Sequence, residues 1–122
     1  MATVLVIDDS DYVRNFCRDI LSDAGYLVLE SPDGCDGVEK FRSSKPDCVL
    51  LDIILPDIDG LEVLKQLREI TDEIPVLIMT GDDPGWARRT CEGYGANGFL
   101  SKALDADRIV DSVEEAILEA ES

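Results

Sequence analysis

Histidine is absent from this 122-residue chain, and its four cysteines, Cys17, Cys35, Cys48 and Cys91, are scattered without a C-x-x-C pair. A zinc site therefore has no ligand set to draw on. Three of the cysteines fall on apolar faces, which predicts buried, reduced thiols rather than disulfides. Long apolar runs are missing as well: none approaches the ~20 residues needed to cross a bilayer. The start, Met1-Ala2-Thr3-Val4, has neither the basic flank nor the cleavage region of a secretory signal, so the expected compartment is the cytoplasm. Positive charge is scarce, with 11 Lys and Arg against 27 Asp and Glu and a formal net charge of -16. Direct nucleic-acid binding is not expected, because a phosphate backbone demands a basic footprint. The partners that remain are proteins and cations.

What is present is a chain of ordinary hydrophobic content, 45%, long enough to bury roughly two-thirds of its unfolded surface as one domain, residues 1–122. Short β-rich runs alternate with helical spacing. Thr3-Val4-Leu5-Val6-Ile7 is followed by Val13, Phe16, Cys17, Ile20, Leu21 and Ala24 on one helical face, with Ser10 as N-cap and Gly25 as the stop. Leu27-Val28-Leu29 reads as a strand, Gly37 to Ser43 as a short helix around Val38 and Phe41, and Pro46 leads into Cys48-Val49-Leu50-Leu51. After a loop at Pro56-Asp57-Ile58-Asp59-Gly60, a third helix carries Leu61, Leu64 and Leu67 as its stripe, with Val63 and Ile70 at the margins. Pro75 opens the strand Val76-Leu77-Ile78-Met79. Asp83-Pro84 predicts the start of a weak fourth helix holding Trp86, Ala87, Cys91 and Tyr94, weakened by Gly85 and Gly93. Gly98-Phe99-Leu100 and a last helix striped by Ile109, Val113, Ala116, Ile117 and Ala120 complete five β-α units. Without repeats or linkers, these units predict one doubly wound α/β domain.

Five polar residues stand where these runs end: Asp8 and Asp9, Asp52, Thr80 and Lys102. Parallel strands place such residues together at the carboxyl edge of the sheet, where open α/β sheets bind and react. Three carboxylates, a hydroxyl and an ammonium there suit a divalent cation, phosphoryl oxygens and one carboxylate acting as nucleophile. Each residue has a plainer reading too. The Asp pair alone fits helix capping equally well, Thr80 alone fits a β-branched strand residue, and Lys102 also serves as counterion to the acidic cluster.

The combined set, with the phrases Val-Leu-Val-Ile-Asp-Asp-Ser, Leu-Leu-Asp-Ile-Ile-Leu-Pro-Asp-Ile-Asp-Gly, Val-Leu-Ile-Met-Thr-Gly and Gly-Phe-Leu-Ser-Lys, closely resembles the receiver domain of two-component response regulators. Single-domain chemotaxis-type regulators are included in that resemblance, which runs from Thr3 to Ala120. It implies a flavodoxin-like five-stranded parallel sheet in the order 2-1-3-4-5 with helices on both faces. It also implies that Asp52 accepts a phosphoryl group from a sensor histidine kinase or a histidine phosphotransfer protein, with no enzymatic activity beyond self-directed phosphotransfer and autodephosphorylation. Mg²⁺, or alternatively Mn²⁺, is held in the family by residues matching Asp9, Asp52 and the backbone carbonyl of Ile54, with Asp8 acting through water. Thr80 and Lys102 take the remaining phosphoryl oxygens. Like charges packed this closely oppose one another without an ion, so metal binding is expected to stabilise the fold.

By the same resemblance, the output face is formed by the fourth helix, fifth strand and fifth helix. Thr80 moves inward on phosphorylation, Phe99 turns into the vacated space, and a downstream protein binds the monomer or a phosphorylation-dependent dimer. Phe99 is equally readable as a core aromatic, and it lacks the hydroxyl of a tyrosine. Two features depart from the family pattern: the Asp82-Asp83-Pro84-Gly85-Trp86 segment, and Ala103 where proline usually follows the lysine. A cis bond before alanine costs about 2.5–4 kcal/mol, so Lys102-Ala103 is expected to be trans. The competing readings are an aspartyl-phosphate phosphohydrolase, disfavoured because Asp52-Ile53-Ile54 lacks its D-x-D pattern, and a degenerate receiver serving as a binding scaffold. A dinucleotide-binding domain is excluded, since Asp8-Asp9-Ser10-Asp11 occupies the place of a glycine-rich loop and would repel pyrophosphate.

Overall fold

The computed structural model describes residues 1–81, 86–101 and 105–122. Five strands, β1 (Thr3–Ile7), β2 (Leu27–Ser31), β3 (Cys48–Asp52), β4 (Val76–Thr80) and β5 (Gly98–Ser101), alternate with five helices. These are α1 (Asp11–Asp23), α2 (Gly34–Ser44), α3 (Gly60–Ile70), α4 (Trp86–Gly93) and α5 (Ala106–Glu121). All strand pairs are parallel, in the order β2-β1-β3-β4-β5. The expected doubly wound α/β architecture is therefore present.

Period-two alternation sends successive strand residues to opposite faces. Val4 and Val6 of β1 join Leu50 and Met79 against Val13, Cys17 and Leu21 of α1 and Ile109 and Val113 of α5. Leu5 and Ile7 join Val49, Leu51 and Ile78 against Val38 and Phe41 of α2, Val63, Leu64 and Leu67 of α3, and Cys91. Because both faces are covered, β1 and β3 can be almost wholly apolar. Each fully buried Val, Leu, Ile or Phe contributes roughly 1.5–3 kcal/mol relative to exposure, which makes these two layers the main support of the sheet.

Helix ends follow local chemistry. Ser10 caps α1 by accepting from the Val13 amide at 3.2 Å, and Gly25, at φ 97°, takes the left-handed turn that ends it. The second helix begins at Gly34, three residues before the expected Gly37. Asp33 caps it, accepting from the Asp36 amide at 2.8 Å, and this polar first turn precedes the apolar pattern that betrays the helix. It ends at Lys45, at φ 48°, immediately before Pro46, which disfavours a right-handed helical conformation in the residue preceding it.

Four stripe assignments change. Ala24, expected on the apolar face of the first helix, is the exposed C-cap of α1. Val63, expected at the margin of α3, is fully buried with Leu64 and Leu67, whereas Leu61 is only partly buried. The face that packs on the sheet is thus rotated toward Val63. Tyr94 lies beyond α4 and is about half exposed, and Ala120 faces solvent near the end of α5. Cys17, Cys48 and Cys91 are buried thiols outside any disulfide and Cys35 is exposed, as the apolar spacing implied. Burial pushes the Cys48 thiol up to about 12, so it is inert at neutral pH.

Candidate metal and phosphoryl site

Strand register assembles the site. Ile7 pairs with Leu51, so the next residues, Asp8 and Asp52, emerge side by side at the carboxyl edge. Asp52 pairs with Met79 across β3 and β4, which puts Thr80 one residue further out on the adjoining strand. Thr80 in turn pairs with Ser101, the residue before Lys102. Lys102, its peptide bond to Ala103, and the Asp83-Pro84 helix start lie outside the described residues.

Asp8, Asp9 and Asp52 each offer a carboxylate oxygen, and the three atoms lie within 4.8 Å of one another. Asp8 is fully buried, Asp52 nearly so, and Asp9 is exposed. The cluster therefore has one side open to solvent. Hard oxygen donors converging within that span suit a small divalent cation with donor distances of about 2.0–2.6 Å, and the absence of nitrogen or sulfur among them disfavours zinc. The donor set fits the expected Mg²⁺.

Backbone hydrogen bonds fix the Asp8 and Asp52 carboxylates. The Asp8 amide donates to the Ser31 carbonyl at 3.0 Å, and Asp8 Oδ1 accepts from the Ser10 amide at 2.9 Å. Arg14, mostly buried, reaches back from α1 to donate to the Asp8 carbonyl, and its guanidinium also pairs with Asp11 and lies 3.6 Å from Glu30. Asp52 Oδ1 accepts from the Ile54 amide at 3.1 Å. Ile54 is 76% exposed, consistent with a position whose backbone, rather than its side chain, serves the site.

The loop after Asp52 is anchored at two points. At Gly60 the amide donates to the Ile53 carbonyl at 2.9 Å, and the helix start comes so close that a Cβ would lie 2.5 Å from that oxygen and 2.6 Å from the Asp52 carbonyl oxygen. Only glycine fits there. The second anchor is Asp57, whose two carboxylate oxygens each accept at 2.8 Å, from the amides of Gly34 and Cys35 at the start of α2. Amide donation from Cys35, then the Cys35 thiol and the Gly34 and Ile58 amides, outweigh desolvation and hold the Asp57 carboxyl well below its ordinary range. The same contact raises the Cys35 thiol. Beside it, burial pushes the Asp36 carboxyl upward, but the Ser31 hydroxyl and the Lys40 ammonium outweigh burial and keep it ionised below its usual value.

Thr80 is buried at the end of β4, and Phe99 is half-buried in β5, packed against the layer that holds α2 and α3. Sequence reading singled out Asp8, Asp9, Asp52, Thr80 and Phe99 but missed Arg14, Asp57 and Gly60 as supports. The Asp-Gly ending of the loop was the available signal for Gly60. The others act on the site through contacts to backbone atoms brought near by folding, the Asp8 carbonyl for Arg14 and the Gly34 and Cys35 amides for Asp57.

The fold and site together define a flavodoxin-like α/β domain with an acidic pocket at the carboxyl edge of its sheet. The family model of the response regulator receiver domain matches residues 4–114, and the chain belongs to that family. The response regulator MprA of Mycobacterium ulcerans (strain Agy99) is 36% identical over 107 residues, covering 88% of this chain and 46% of that protein. MprA of Mycobacterium avium (strain 104) is also 36% identical, with 88% and 47% covered. The chain thus spans about half the length of the curated relatives it matches. Among solved structures, the Vibrio cholerae chemotaxis protein CheY4 superposes with a TM-score of 0.91 at 27% identity, covering 95% of this chain and 98% of that one. A CheY-like receiver domain protein from Methanospirillum hungatei JF-1 gives 0.95 at 22% identity, covering 99% and 97%, a likeness of fold.

Proposed function

We propose that this domain is the phosphoryl-accepting switch of a two-component system, with Asp52 as the acceptor. The observation that carries this reading is the convergence of Asp8, Asp9 and Asp52 oxygens within 4.8 Å beside the buried Thr80 at the sheet edge. The donor is a phosphohistidine on a sensor histidine kinase or a histidine phosphotransfer protein. An Asp52 oxygen attacks phosphorus, a P–O bond forms, the P–N bond breaks, and the electron pair leaves with the imidazole. Asp8, Asp9, Asp52 and the Ile54 carbonyl would hold Mg²⁺, which supplies charge neutralisation for the transferred group. Thr80 and Lys102 complete the phosphoryl contacts.

The chain's own residues supply orientation. The Ile54 amide fixes one Asp52 oxygen, and the Gly60 and Asp57 anchors limit the movement of the intervening loop. Phosphorylation shifts the Thr80–Phe99 equilibrium and thereby the face of α4, β5 and α5, to which a downstream protein binds, with the receiver monomeric or pairing on phosphorylation. The chemistry is limited to phosphoryl acceptance and self-hydrolysis, and the setting is the cytoplasm. Among the described residues no helix is long and apolar enough to cross a membrane. Acetyl phosphate with Mg²⁺ is expected to add one hydroxylamine-labile phosphoryl group, seen by intact-mass spectrometry. If Asp52→Asn acquires the same labile group, the assignment is wrong.

A further inference from the structure

The aromatic ring at the switch position lacks the hydroxyl with which a tyrosine anchors itself by hydrogen bonding. Phe99 has another hold. From α4, the Arg88 guanidinium carbon lies 4.9 Å from the centroid of the Phe99 ring, within the ~6 Å reach of a cation–π contact. Arg88 also lines, with Thr80, Gly81, Phe99, Leu100 and Ser101, a cavity of about 90 Å³. The buried threonine, the ring and the arginine thus border one cavity. A void of roughly 150 Å³ accommodates a benzene ring, so the present cavity is too small to receive Phe99 until a wall such as Thr80 moves. On the Thr80–Phe99 reading above, the ring has two places, under the guanidinium or in an enlarged cavity, and leaving the first sacrifices the cation–π contact.

We propose that Arg88 is a positioning residue that holds Phe99 in its present orientation and so sets the balance between the two ring states. Here the cation holds a ring that has no hydroxyl of its own to anchor it. The consequence for switching, though not the contact itself, rests on the Thr80–Phe99 reading above. A cation–π contact at a partly exposed site corresponds to a two- to fivefold population ratio, enough to tune the switch without locking it.

The test uses the full chain labelled with 4-fluorophenylalanine, which reports three rings, Phe16, Phe41 and Phe99, with Phe99→Leu assigning the third. Fluorine spectra are recorded with Mg²⁺, before and after addition of beryllofluoride, for wild type, Arg88→Met and Arg88→Lys. Arg88→Met, which keeps an apolar side chain but no cation, is expected to move the Phe99 populations two- to fivefold away from the wild-type orientation in both conditions. Arg88→Lys, which keeps the cation, is expected to remain within twofold of wild type. Unchanged Phe99 populations in a folded Arg88→Met protein would overturn the proposal, and equal shifts in both variants would refute the role of the cation. If beryllofluoride leaves wild-type Phe99 unmoved while Arg88→Met still shifts it, the positioning role stands and the switch reading fails.

Discussion

Gly60→Ala tests whether the backbone contact behind Asp52 supports both fold and site. The added methyl would start 2.5 Å from the Ile53 carbonyl oxygen and 2.6 Å from that of Asp52, and these separations must grow to at least 3.0 Å. The obstacles include main chain, so no side-chain rotation relieves them. Overpacking of this kind costs about 1–3 kcal/mol, and a backbone obstacle puts the cost near the upper end. The better helix propensity of alanine returns less than about 1 kcal/mol. A net loss of about 2 kcal/mol lowers the melting temperature by roughly 8 °C in a domain of this size.

The same displacement reaches the chemistry, because it pushes on the carbonyl of Asp52 itself. A misplacement of about 1 Å can cost on the order of a hundredfold in rate, so half of that predicts about a tenfold slower phosphoryl uptake. Thermal melts and intact-mass time courses with acetyl phosphate measure both effects. Gly93→Ala is the control, since its Cβ would meet nothing within 4 Å, and it is expected to be neutral or slightly stabilising. A Gly60→Ala protein that melts within 2 °C of wild type and accepts phosphoryl at the wild-type rate would refute the reasoning.

Further outcomes follow from the same contacts. Millimolar Mg²⁺ at fixed ionic strength is expected to raise the wild-type melting temperature, since the unfolded chain cannot assemble the three carboxylates, and Asp9→Ala is expected to abolish the increment; a flat wild-type response would count against the site. Asp57 is held below its ordinary range, so its contribution to stability is present above its unfolded value near pH ~4 and is lost as pH falls through the folded value. Asp57→Asn is therefore expected to flatten the acid limb of the stability curve in urea titrations, and an unchanged slope below pH ~4 would contradict the assignment. The Arg68 guanidinium donates to the carbonyls of Gly95 and Ile74 at 2.8 and 2.7 Å and to Asn97 Oδ1 at 2.8 Å. Arg68→Ala is expected to cost about 2–4 kcal/mol in chemical denaturation, through lost charged hydrogen bonds and stranded acceptors, while a loss below about 0.5 kcal/mol would show that water replaces it fully.

Much of this molecule was legible in its sequence, for identifiable reasons. Strands buried on both faces write continuous apolar runs, so the ends of β1, β3 and β4 could be located, and with them Asp8, Asp52 and Thr80. Ser10 and Gly25 were readable because capping is local. The start of α2 was missed because its polar first turn precedes the apolar spacing around Val38 and Phe41, and its second cap, Asp57, lies 23 residues from Gly34. The rotation of α3 toward Val63 was missed because every candidate residue is apolar, and spacing alone does not rank Leu61 against Val63. Arg14 and Arg88 act through a carbonyl and a ring from other elements, pairings that no sequence period encodes.

The double acceptance by Asp57 also orders events in time. α2 precedes β3 in the chain, yet its first two amides receive their partner only after the chain has continued through β3 into the following loop. Closing a contact across that sequence separation costs entropy that local capping by Asp33 does not, so the start of α2 is expected to be completed late in folding. A contact made after the transition state leaves the folding limb of a chevron plot almost untouched and acts on the unfolding limb. Asp57 is in that sense a kinetic latch: its loss is expected to shorten the lifetime of the native state while the rate of reaching it stays nearly the same.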